Sequence, residues 1–329
     1  MSAVVHRYGP PPGANRPPLV LLHAFPFDAR MWDPVRDALP RVPVLVVDLP
    51  GFGAARAWAE PEGATLESFA DAVAEALGHA GVHTAVVVGV SMGGYVAMAL
   101  AERYPGLFAG IGLLDTKAAA DPPEARANRL AVARRALEEG AVAVSGMADD
   151  VVGPTTTQHR PQVVQQVRQW LAQAPPEGIA AAQRAMALRP DRLTVLQDLQ
   201  VPALVLYGVE DAITGEEDHG AMGAALRTEP VRVPATWRRW SNRSRWPRRS
   251  PSWCSAPAGE AAGGGERHRR WHVRPRARMS GTTAGSSAEA LSPGRATRAA
   301  AAPGPRPDPG TPRPCRRRRA RVGGGSAPG

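Results

Sequence analysis

The segment that most constrains this chain is Gly89-Val90-Ser91-Met92-Gly93, which directly follows the apolar run at residues 85–88. A short apolar run of this kind predicts a buried strand, and residues 93–103 have a helical pattern that Pro105 ends. Ser91 is therefore predicted to lie in a sharp turn between a strand and a helix. Such a turn requires Gly89 and Gly93, because side chains there would collide where strand and helix approach each other.

A serine at the apex of such a turn is a candidate nucleophile for attack on a carbonyl carbon. The turn pushes its hydroxyl into the open. The helix that begins near Met92 offers unpaired backbone N–H groups to a developing oxyanion. A tight turn with a purely structural serine is the alternative, and the strand before Ser91 and the helix after it favour the nucleophile.

Further apolar runs predict the rest of a sheet. They are continuous rather than alternating, as expected of strands buried on both faces. Helical patterns such as residues 65–80 alternate with them, which predicts an α/β fold with a doubly wound, mostly parallel sheet. The opening of the chain, through Pro18, is rich in Gly and Pro and predicts turns. The runs are at residues 19–22, 42–47, 85–88, 111–114 and 203–207, and residues 231–234 resemble the last strand of the sheet.

The pattern changes between residues 117 and 200. Helical stretches are predicted at 128–139, 162–173 and 178–187, with prolines between them and no strand pattern. We interpret this segment as a helical lid inserted between two strands of the sheet. With the lid, the predicted α/β domain covers residues 1–235.

Residues 236–329 differ from the rest in composition. They contain three residues of the types Leu, Ile, Val and Phe, too few to offset the entropy of ordering the chain, so this low-complexity tail is predicted to be disordered. Residues 235–329 carry 21 Arg and 4 acidic residues, or +17, and residues 1–234 carry 19 basic and 26 acidic residues, or −7; their sum is the net charge of +10. The basicity therefore belongs to the tail.

Several classes of function receive no support from the composition. Both cysteines, Cys254 and Cys315, lie in the tail, so the predicted domain has no disulfide and no cysteine metal site. No signal peptide or membrane-spanning run is apparent, which favours a cytoplasmic protein. We expect no metal, no cofactor, no specific nucleic acid and no membrane partner. Nothing in the sequence indicates an oligomeric state.

Over residues 4–234 the chain resembles the α/β-hydrolase superfamily, with a lid arrangement similar to small esterases, enol-lactonases and haloperoxidase-like enzymes. Four motifs in the order of that family are more specific than any one of them. They are LLHAFP at 21–26, DLPGFG at 48–53, GVSMGG at 89–94 and LYGVED at 206–211.

The resemblance implies a role for individual residues. Ser91 would be the nucleophile, and the backbone N–H groups of Phe25 and Met92 would form the oxyanion hole. Asp211 would be the acid that orients a histidine, with Asp115 as the alternative because some relatives place the acid there. His23 is expected to pack beside the oxyanion turn.

Two tryptophans are candidates for an acyl pocket. Trp32 and Trp170 would line it if they face the lid, and the alternative for each is a place in the core. The implied substrate is a small-molecule carboxylic ester or lactone.

The histidine that the family places after the last strand is absent from this sequence. A Gly-His pair is expected after residues 231–234, where the chain reads Ala235-Thr236-Trp237. The remaining histidines lie in the wrong order along the chain or in the tail. His219 is predicted to face solvent on the helix after Asp211.

We hypothesise a frameshift near Pro234, which would account for this absence. The chain has 39 Arg and one Lys, as expected of a GC-rich gene, and five of its eight Trp lie between Trp237 and Trp271. Back-translating from Pro234 with GC-rich codons and reading from the third base gives Gly-His followed by an amphipathic helix. The tail is therefore predicted to be out of frame, and the chain to be impaired or inactive as a hydrolase.

The sequence is compatible with three functions. The first is a serine hydrolase of carboxylic esters or lactones. The second is a non-catalytic protein of the same fold or an inactive frameshift product. The third is nucleic-acid binding through the Arg-rich tail, which runs of like charge can do without specificity.

Overall fold

The computed structural model describes residues 2–11, 16–56 and 63–233. The tail at residues 236–329, with its predicted disorder, and the sequence that follows Val233 lie outside these residues.

Seven strands form one sheet in the order β1-β3-β2-β4-β5-β6-β7. Every neighbouring pair is parallel except β1 and β3, which are antiparallel. The predicted α/β class with a doubly wound, mostly parallel sheet is thus confirmed. The strands are β1 (Val4–Tyr8), β2 (Leu19–Leu22), β3 (Val44–Asp48), β4 (Ala85–Val90), β5 (Phe108–Leu114), β6 (Ala203–Gly208) and β7 (Val231–Val233).

The prediction of turns throughout the first 18 residues was wrong over β1. This strand has the mixed sequence VVHRY, and its residues are half-buried or exposed. It lies at the edge of the sheet, where one face and one ladder edge meet solvent, so its pattern lacks the continuous apolar character of the central strands. Its register pairs Val4 with Asp48 and Tyr8 with Val44.

Ten α-helices accompany these strands in the described residues. Between β5 and β6 the chain forms helices α4 to α9 without a strand, which is the predicted helical insertion. The helices are α1 (Asp33–Ala38), α2 (Leu66–His79), α3 (Met92–Arg103), α4 (Pro123–Glu139), α5 (Ala148–Val151), α6 (Pro154–His159), α7 (Pro161–Ala172), α8 (Pro176–Ala187), α9 (Leu193–Asp198) and α10 (Glu216–Leu226).

Local chemistry explains where the helices next to the site begin. Helix α2 starts with a capping box, in which the Thr65 hydroxyl accepts from the Ser68 N–H and the Ser68 hydroxyl accepts from the Thr65 N–H. Helix α3 follows β4 without any side-chain cap, so its first N–H groups stay available. Ten consecutive residues of α3, from Met92 to Ala101, are buried, which fixes this helix in the core.

Candidate active site

Ser91 occupies the turn between β4 and α3 in a strained conformation. Its φ of 50° and ψ of −113° lie where residues with a Cβ are rarely found. A Cβ on Gly89 would lie 2.2 Å from the Gly93 carbonyl carbon, and a Cβ on Gly93 would lie 2.3 Å from the Leu22 carbonyl oxygen. The two glycines therefore allow the close approach of strand, turn and helix that holds Ser91 at the apex.

The carboxyl ends of β2, β4, β5 and β6 meet at one edge of the sheet, where α/β folds place their sites. The Ser91 N–H donates to the Leu114 carbonyl oxygen at 3.0 Å, which links the ends of β4 and β5. The Asp115 N–H donates to the Leu206 carbonyl oxygen at 3.0 Å, which links β5 to β6. This edge brings together the segments that carry Ser91, Asp115 and Asp211.

Phe25 lies in the loop that follows β2, and Met92 is the first residue of α3. Both are buried, with 6% and 0% of their surface exposed. Within the described residues, neither backbone N–H donates to a protein acceptor. The close contact of Gly93 with the Leu22 and His23 carbonyl oxygens packs the start of α3 against the start of this loop. Two buried residues, one in the loop after β2 and one at the start of α3, therefore have N–H groups without an acceptor among the described residues.

Asp211 lies in the turn after β6 and is partly exposed. Its N–H donates to the Gly208 carbonyl oxygen at 3.1 Å. One carboxylate oxygen accepts from the Ile213 N–H at 2.8 Å and the Thr214 N–H at 3.2 Å, and the other accepts from the Thr214 hydroxyl. These bonds fix the orientation of the carboxylate at the end of β6.

Asp115, the alternative acid, has a different environment. It is 5% exposed, its φ is 44°, and its Oδ1 accepts from the Gly208 N–H at 2.8 Å. Burial raises the pKa of this carboxyl to about 7, against the effect of the Gly208 N–H, and the charge of Asp211 raises it further. Asp115 is therefore partly neutral near pH 7.

Both ring nitrogens of His23 have backbone hydrogen-bond partners. Its Nδ1 lies 3.0 Å from the Ala24 carbonyl oxygen, and its Nε2 accepts from the Leu49 N–H at 2.9 Å. Complete burial lowers its pKa, and the hydrogen bond to Ala24 opposes that shift. A neutral ring that donates from Nδ1 satisfies both contacts, so His23 links the loop after β2 to Leu49.

The prediction that His219 faces solvent was wrong. His219 is fully buried on α10, and its ring stacks on Tyr207 with centroids 4.7 Å apart. Its Nδ1 donates to the Gly215 carbonyl oxygen at 2.7 Å, and its Nε2 is buried without a hydrogen-bond partner among the described residues. The stack on Tyr207 holds this histidine beneath the turn that carries Asp211 rather than on the surface.

No histidine ring in the described ranges hydrogen-bonds to Ser91 or Asp211. Strand β7 ends at Val233, whose carbonyl oxygen accepts from the Val209 N–H at 2.8 Å. The positions where a Gly-His pair is expected begin immediately after this strand and lie outside the described residues.

A cavity of about 450 Å³ opens beside the loop that contains Phe25. Phe27 and Trp170 contact edge to face in its wall, with ring centroids 6.0 Å apart. Trp32 is 1% exposed and lies in the hydrophobic core rather than on this wall. Of the two predicted pocket tryptophans, Trp170 alone lines the cavity, and Ser91 is not on its wall.

Two polar contacts of the helical insertion, one buried and one partly buried, could not be predicted from the sequence. Asp121 and Arg189 form an ion pair that joins the segment after β5 to the end of α8. Glu210, next to Asp211, accepts hydrogen bonds from the N–H and the hydroxyl of Thr155 on α6. Both contacts tie the helical insertion to segments at the carboxyl edge of the sheet.

The described residues contain no group of three or more His, Cys, Asp or Glu side chains placed to hold a metal ion. Within the same part of the chain, no helix has the length and apolar character needed to span a bilayer.

The sequence profile described as alpha/beta hydrolase fold matches residues 17–241. Among curated proteins, the chain is 36% identical to the lipase LipV of Mycobacterium tuberculosis over 122 residues, which is 37% of this chain and 44% of that protein. It is 30% identical to a pimeloyl-[acyl-carrier protein] methyl ester esterase of Aeromonas hydrophila over 225 residues, or 65% of this chain and 82% of that esterase. This chain therefore spans less than half the length of the first curated relatives that it matches. The alignment with the Aeromonas esterase is longer and covers 82% of that protein.

Two solved structures of related enzymes superpose on most of the domain. A thermophilic esterase from Thermogutta terrifontis is 38% identical, with a TM-score of 0.66 over 71% of this chain and 85% of that chain. An enol-lactonase from Burkholderia xenovorans is 26% identical, with a TM-score of 0.64 over 71% of this chain and 88% of that chain.

Proposed function

Because the chain belongs to the α/β-hydrolase fold family, we propose that it is built as a serine hydrolase of carboxylic esters or lactones. The observation that carries the proposal is the strained backbone of Ser91, held between β4 and α3 by two glycines that cannot accept a Cβ. Strain of this kind persists where surrounding structure enforces it, and it presents the serine hydroxyl at the carboxyl edge of the sheet.

In this proposal the Ser91 oxygen attacks the acyl carbonyl carbon while a general base takes its proton. The Phe25 and Met92 N–H groups, which have no acceptor among the described residues, stabilise the oxyanion of the tetrahedral intermediate. The C–O bond to the alcohol then breaks, and the base returns the proton to the leaving oxygen. Water, activated in the same way, attacks the acyl-enzyme and releases the acid and Ser91.

We assign the triad acid to Asp211 rather than Asp115. The Asp211 carboxylate is partly exposed and is oriented by two backbone N–H groups, while Asp115 is buried and partly neutral near pH 7. A triad acid has to remain ionised to stabilise a histidinium ion, which favours Asp211. If Asp115 had this role, Asp115→Asn would lower turnover more than Asp211→Asn.

The proposed mechanism also needs a general base, and no histidine among the described residues supplies one. We propose that the sequence after Pro234 is out of frame and that the other frame encodes the Gly-His pair. Without that histidine, the remaining catalysis comes from the oxyanion hole and substrate binding alone, so the chain as written is impaired.

A chromogenic short-chain ester tests both parts of the proposal. The chain as written is expected to turn over at least about tenfold more slowly than an intact relative, and a chain with the frame restored after Pro234 should recover activity. Ser91→Ala should abolish the recovered activity. Turnover of the chain as written within tenfold of the relative would refute impairment, and activity that survives Ser91→Ala would refute the nucleophile. Gene codons incompatible with Gly-His would refute the frameshift.

The alternative is a non-catalytic protein that binds small molecules under the lid. The cavity with Phe27 and Trp170 in its wall favours this reading as a second candidate. Its signature would be ester binding without hydrolysis in the frame-restored chain. Nucleic-acid binding through the Arg-rich tail is a third candidate, and filter binding that persists after deletion of residues 236–329 would show that the tail does not carry it.

A further inference from the structure

Two adjacent residues at the end of β5 contact both halves of the proposed catalytic machinery. The Thr116 hydroxyl donates to the Ser91 carbonyl oxygen at 2.8 Å, and the Asp115 carboxyl oxygen Oδ1 accepts from the Gly208 N–H at 2.8 Å. Gly208 ends β6, and its own carbonyl oxygen accepts from the Asp211 N–H at 3.1 Å. One dipeptide therefore reaches the nucleophile turn on one side and the Asp211 turn on the other.

Both side chains are confined by their surroundings. Thr116 is 0% exposed, and a Cβ on Gly94 of α3 would lie 2.6 Å from the Thr116 hydroxyl oxygen, so the hydroxyl is held against the first turn of that helix. Asp115 is 5% exposed and has a φ of 44°. This left-handed conformation costs free energy for a residue other than glycine, and the surrounding contacts maintain it.

The backbone cannot make these two contacts by itself. The Ser91 carbonyl oxygen already accepts from the Gly94 N–H at 2.9 Å and the Tyr95 N–H at 3.2 Å, and the Thr116 hydroxyl adds a donor from the segment that follows β5. Gly208 pairs with Val233 of β7 but lies beyond the last residue of β6 that pairs with β5, and its N–H donates to the Asp115 side chain. The two side-chain bonds thus add to the backbone bonds of Ser91, Asp115 and Asp211 that place the two turns.

We propose that Asp115 and Thr116 are positioning residues, with Thr116 fixing the Ser91 turn and Asp115 fixing the turn that carries Asp211. This inference rests on the proposed function. Displacement of a reacting group by about 1 Å costs up to a hundredfold in rate, so loss of either contact affects the reactivity of Ser91 without removing any group that touches substrate.

The test of Thr116 is the rate at which a fluorophosphonate probe labels Ser91, followed by intact mass, with Ser91→Ala as the specificity control. Because labelling needs the general base, it is measured in the chain with the frame restored after Pro234, which serves as the wild type for these variants. Thr116→Val removes the hydroxyl at nearly constant volume and is expected to lower the maximal labelling rate about tenfold without weakening probe binding. Thr116→Ser keeps the donor and should restore labelling to within about threefold.

A matched control is available in the helical insertion. Thr156 is 1% exposed and its hydroxyl has no hydrogen-bond partner among the described residues. Thr156→Val is therefore the same substitution at a buried site without a contact to lose, and its labelling rate should equal that of the wild type. Labelling of Thr116→Val at the rate of Thr156→Val would overturn the role of Thr116.

Hydrogen exchange tests Asp115 and does not depend on activity. Asp115→Gly removes the carboxyl and tolerates the positive φ, whereas Asp115→Asn keeps an acceptor oxygen. Peptides over residues 208–215 should exchange faster in Asp115→Gly and at the wild-type rate in Asp115→Asn. Equal exchange in both variants would overturn the role of Asp115.

The two proposals fail in different ways. If the probe does not label the frame-restored chain, or labels Ser91→Ala equally, the proposed nucleophile fails. In that case exchange over residues 91–95 still decides the contact of Thr116: faster exchange in Thr116→Val than in Thr156→Val supports it, and equal exchange overturns it. Labelling at Ser91 that Thr116→Val leaves unchanged overturns the further inference alone.

Discussion

The carboxylate of Asp121 and the guanidinium of Arg189 form a buried two-pronged ion pair, with N–O distances of 2.6 and 2.7 Å and side chains 1% and 2% exposed. Arg129 donates to the same carboxylate from α4. The Arg189 guanidinium also lies over the Tyr95 ring of α3, 4.2 Å from its centroid. The pair thus joins the helical insertion to the helix that follows Ser91.

We predict that Asp121→Asn destabilises the protein by about 3–5 kcal/mol, because it leaves the buried guanidinium of Arg189 without its counter-charge. Urea unfolding measures the change. The matched control is Glu138→Gln, which breaks the exposed pair of Glu138 with Arg134, whose side chains are 61% and 71% exposed. That change should stay within about 0.5 kcal/mol. Equal effects of the two substitutions would contradict the prediction.

The ion pair of Asp121 and Arg189 also makes the free energy of unfolding depend on pH in the acid range. Hydrogen bonds from Arg189 and Arg129 outweigh the effect of burial and lower the pKa of Asp121 from 3.8 to about 2. A lowered carboxyl pKa stabilises the fold fully above about pH 4, and this contribution is lost as pH falls through about 2. The difference in unfolding free energy between wild type and Asp121→Asn should shrink over that interval.

The second prediction concerns Asp115, whose pKa burial raises from 3.8 to about 7. A raised carboxyl pKa means that the folded protein holds a proton that the unfolded chain releases, so stability is lost as pH rises from about 4 to about 7. One pKa unit corresponds to about 1.4 kcal/mol, which puts the full penalty on the order of 4 kcal/mol.

Asp115→Asn removes this penalty and keeps an acceptor for the Gly208 N–H, and asparagine tolerates a positive φ. Its stability relative to the wild type should therefore grow between pH 4 and 7 and stay constant above pH 8, as thermal melting at a series of pH values would show. A gain that does not vary with pH would contradict the raised pKa.

The third prediction concerns His219. Burial lowers its pKa, against the hydrogen bond to Gly215 and the charges of Asp211 and Asp218. The unfolded chain then takes up a proton more readily than the folded protein as pH falls below about 6.5, so stability declines on that side. His219→Phe keeps the stack on Tyr207 and cannot be protonated, and it should flatten the decline in melting temperature between pH 7 and pH 5.

The control for this experiment is His83→Gln, a substitution at an exposed position. It should leave the dependence of melting temperature on pH unchanged. Part of the decline should remain in His219→Phe, because His23 is also buried with a lowered pKa. Because Asp115 has the opposite pH dependence in this interval, the comparison is between the two proteins: an equal change in melting temperature from pH 7 to pH 5 in the wild type and in His219→Phe would rule out the effect.

Local chemistry explains what could be predicted from the sequence. The central strands are apolar on both faces, and their continuous runs therefore identified the sheet and its class. The Ser91 turn was recognisable because its steric requirement falls on Gly89 and Gly93, two residues away on either side. Edge strand β1 was missed because its half-buried sequence carries no continuous apolar signal.

Contacts between residues far apart in the chain could not be predicted from the local sequence. Asp121 and Arg189 are 68 residues apart, and Thr155 and Glu210 are 55 apart, so their pairing depends on how the insertion packs. His219 follows three acidic residues at the start of α10, a local pattern typical of a solvated helix end. Its burial depends on the stack against Tyr207, which belongs to a strand.

The last prediction concerns the contact between Glu210 and Thr155. The Glu210 carboxylate accepts from the Thr155 N–H at 3.1 Å and from the Thr155 hydroxyl, and a Cβ on Gly153 would lie 2.3 Å from the same carboxylate. Because Glu210 directly precedes Asp211, this contact fastens α6 of the insertion to the turn that carries the proposed acid.

We predict that Glu210→Ala releases α6. A hydrogen bond to a charged group contributes about 1.5–3 kcal/mol, so amides over residues 152–160 should exchange about tenfold to a hundredfold faster. Glu210→Gln keeps an acceptor and should show a smaller increase. Glu229→Ala, at an exposed position in the loop before β7, is the control and should match the wild type. Wild-type exchange over residues 152–160 in Glu210→Ala would mean that packing of the buried Thr156 and Val152 holds α6 without the carboxylate.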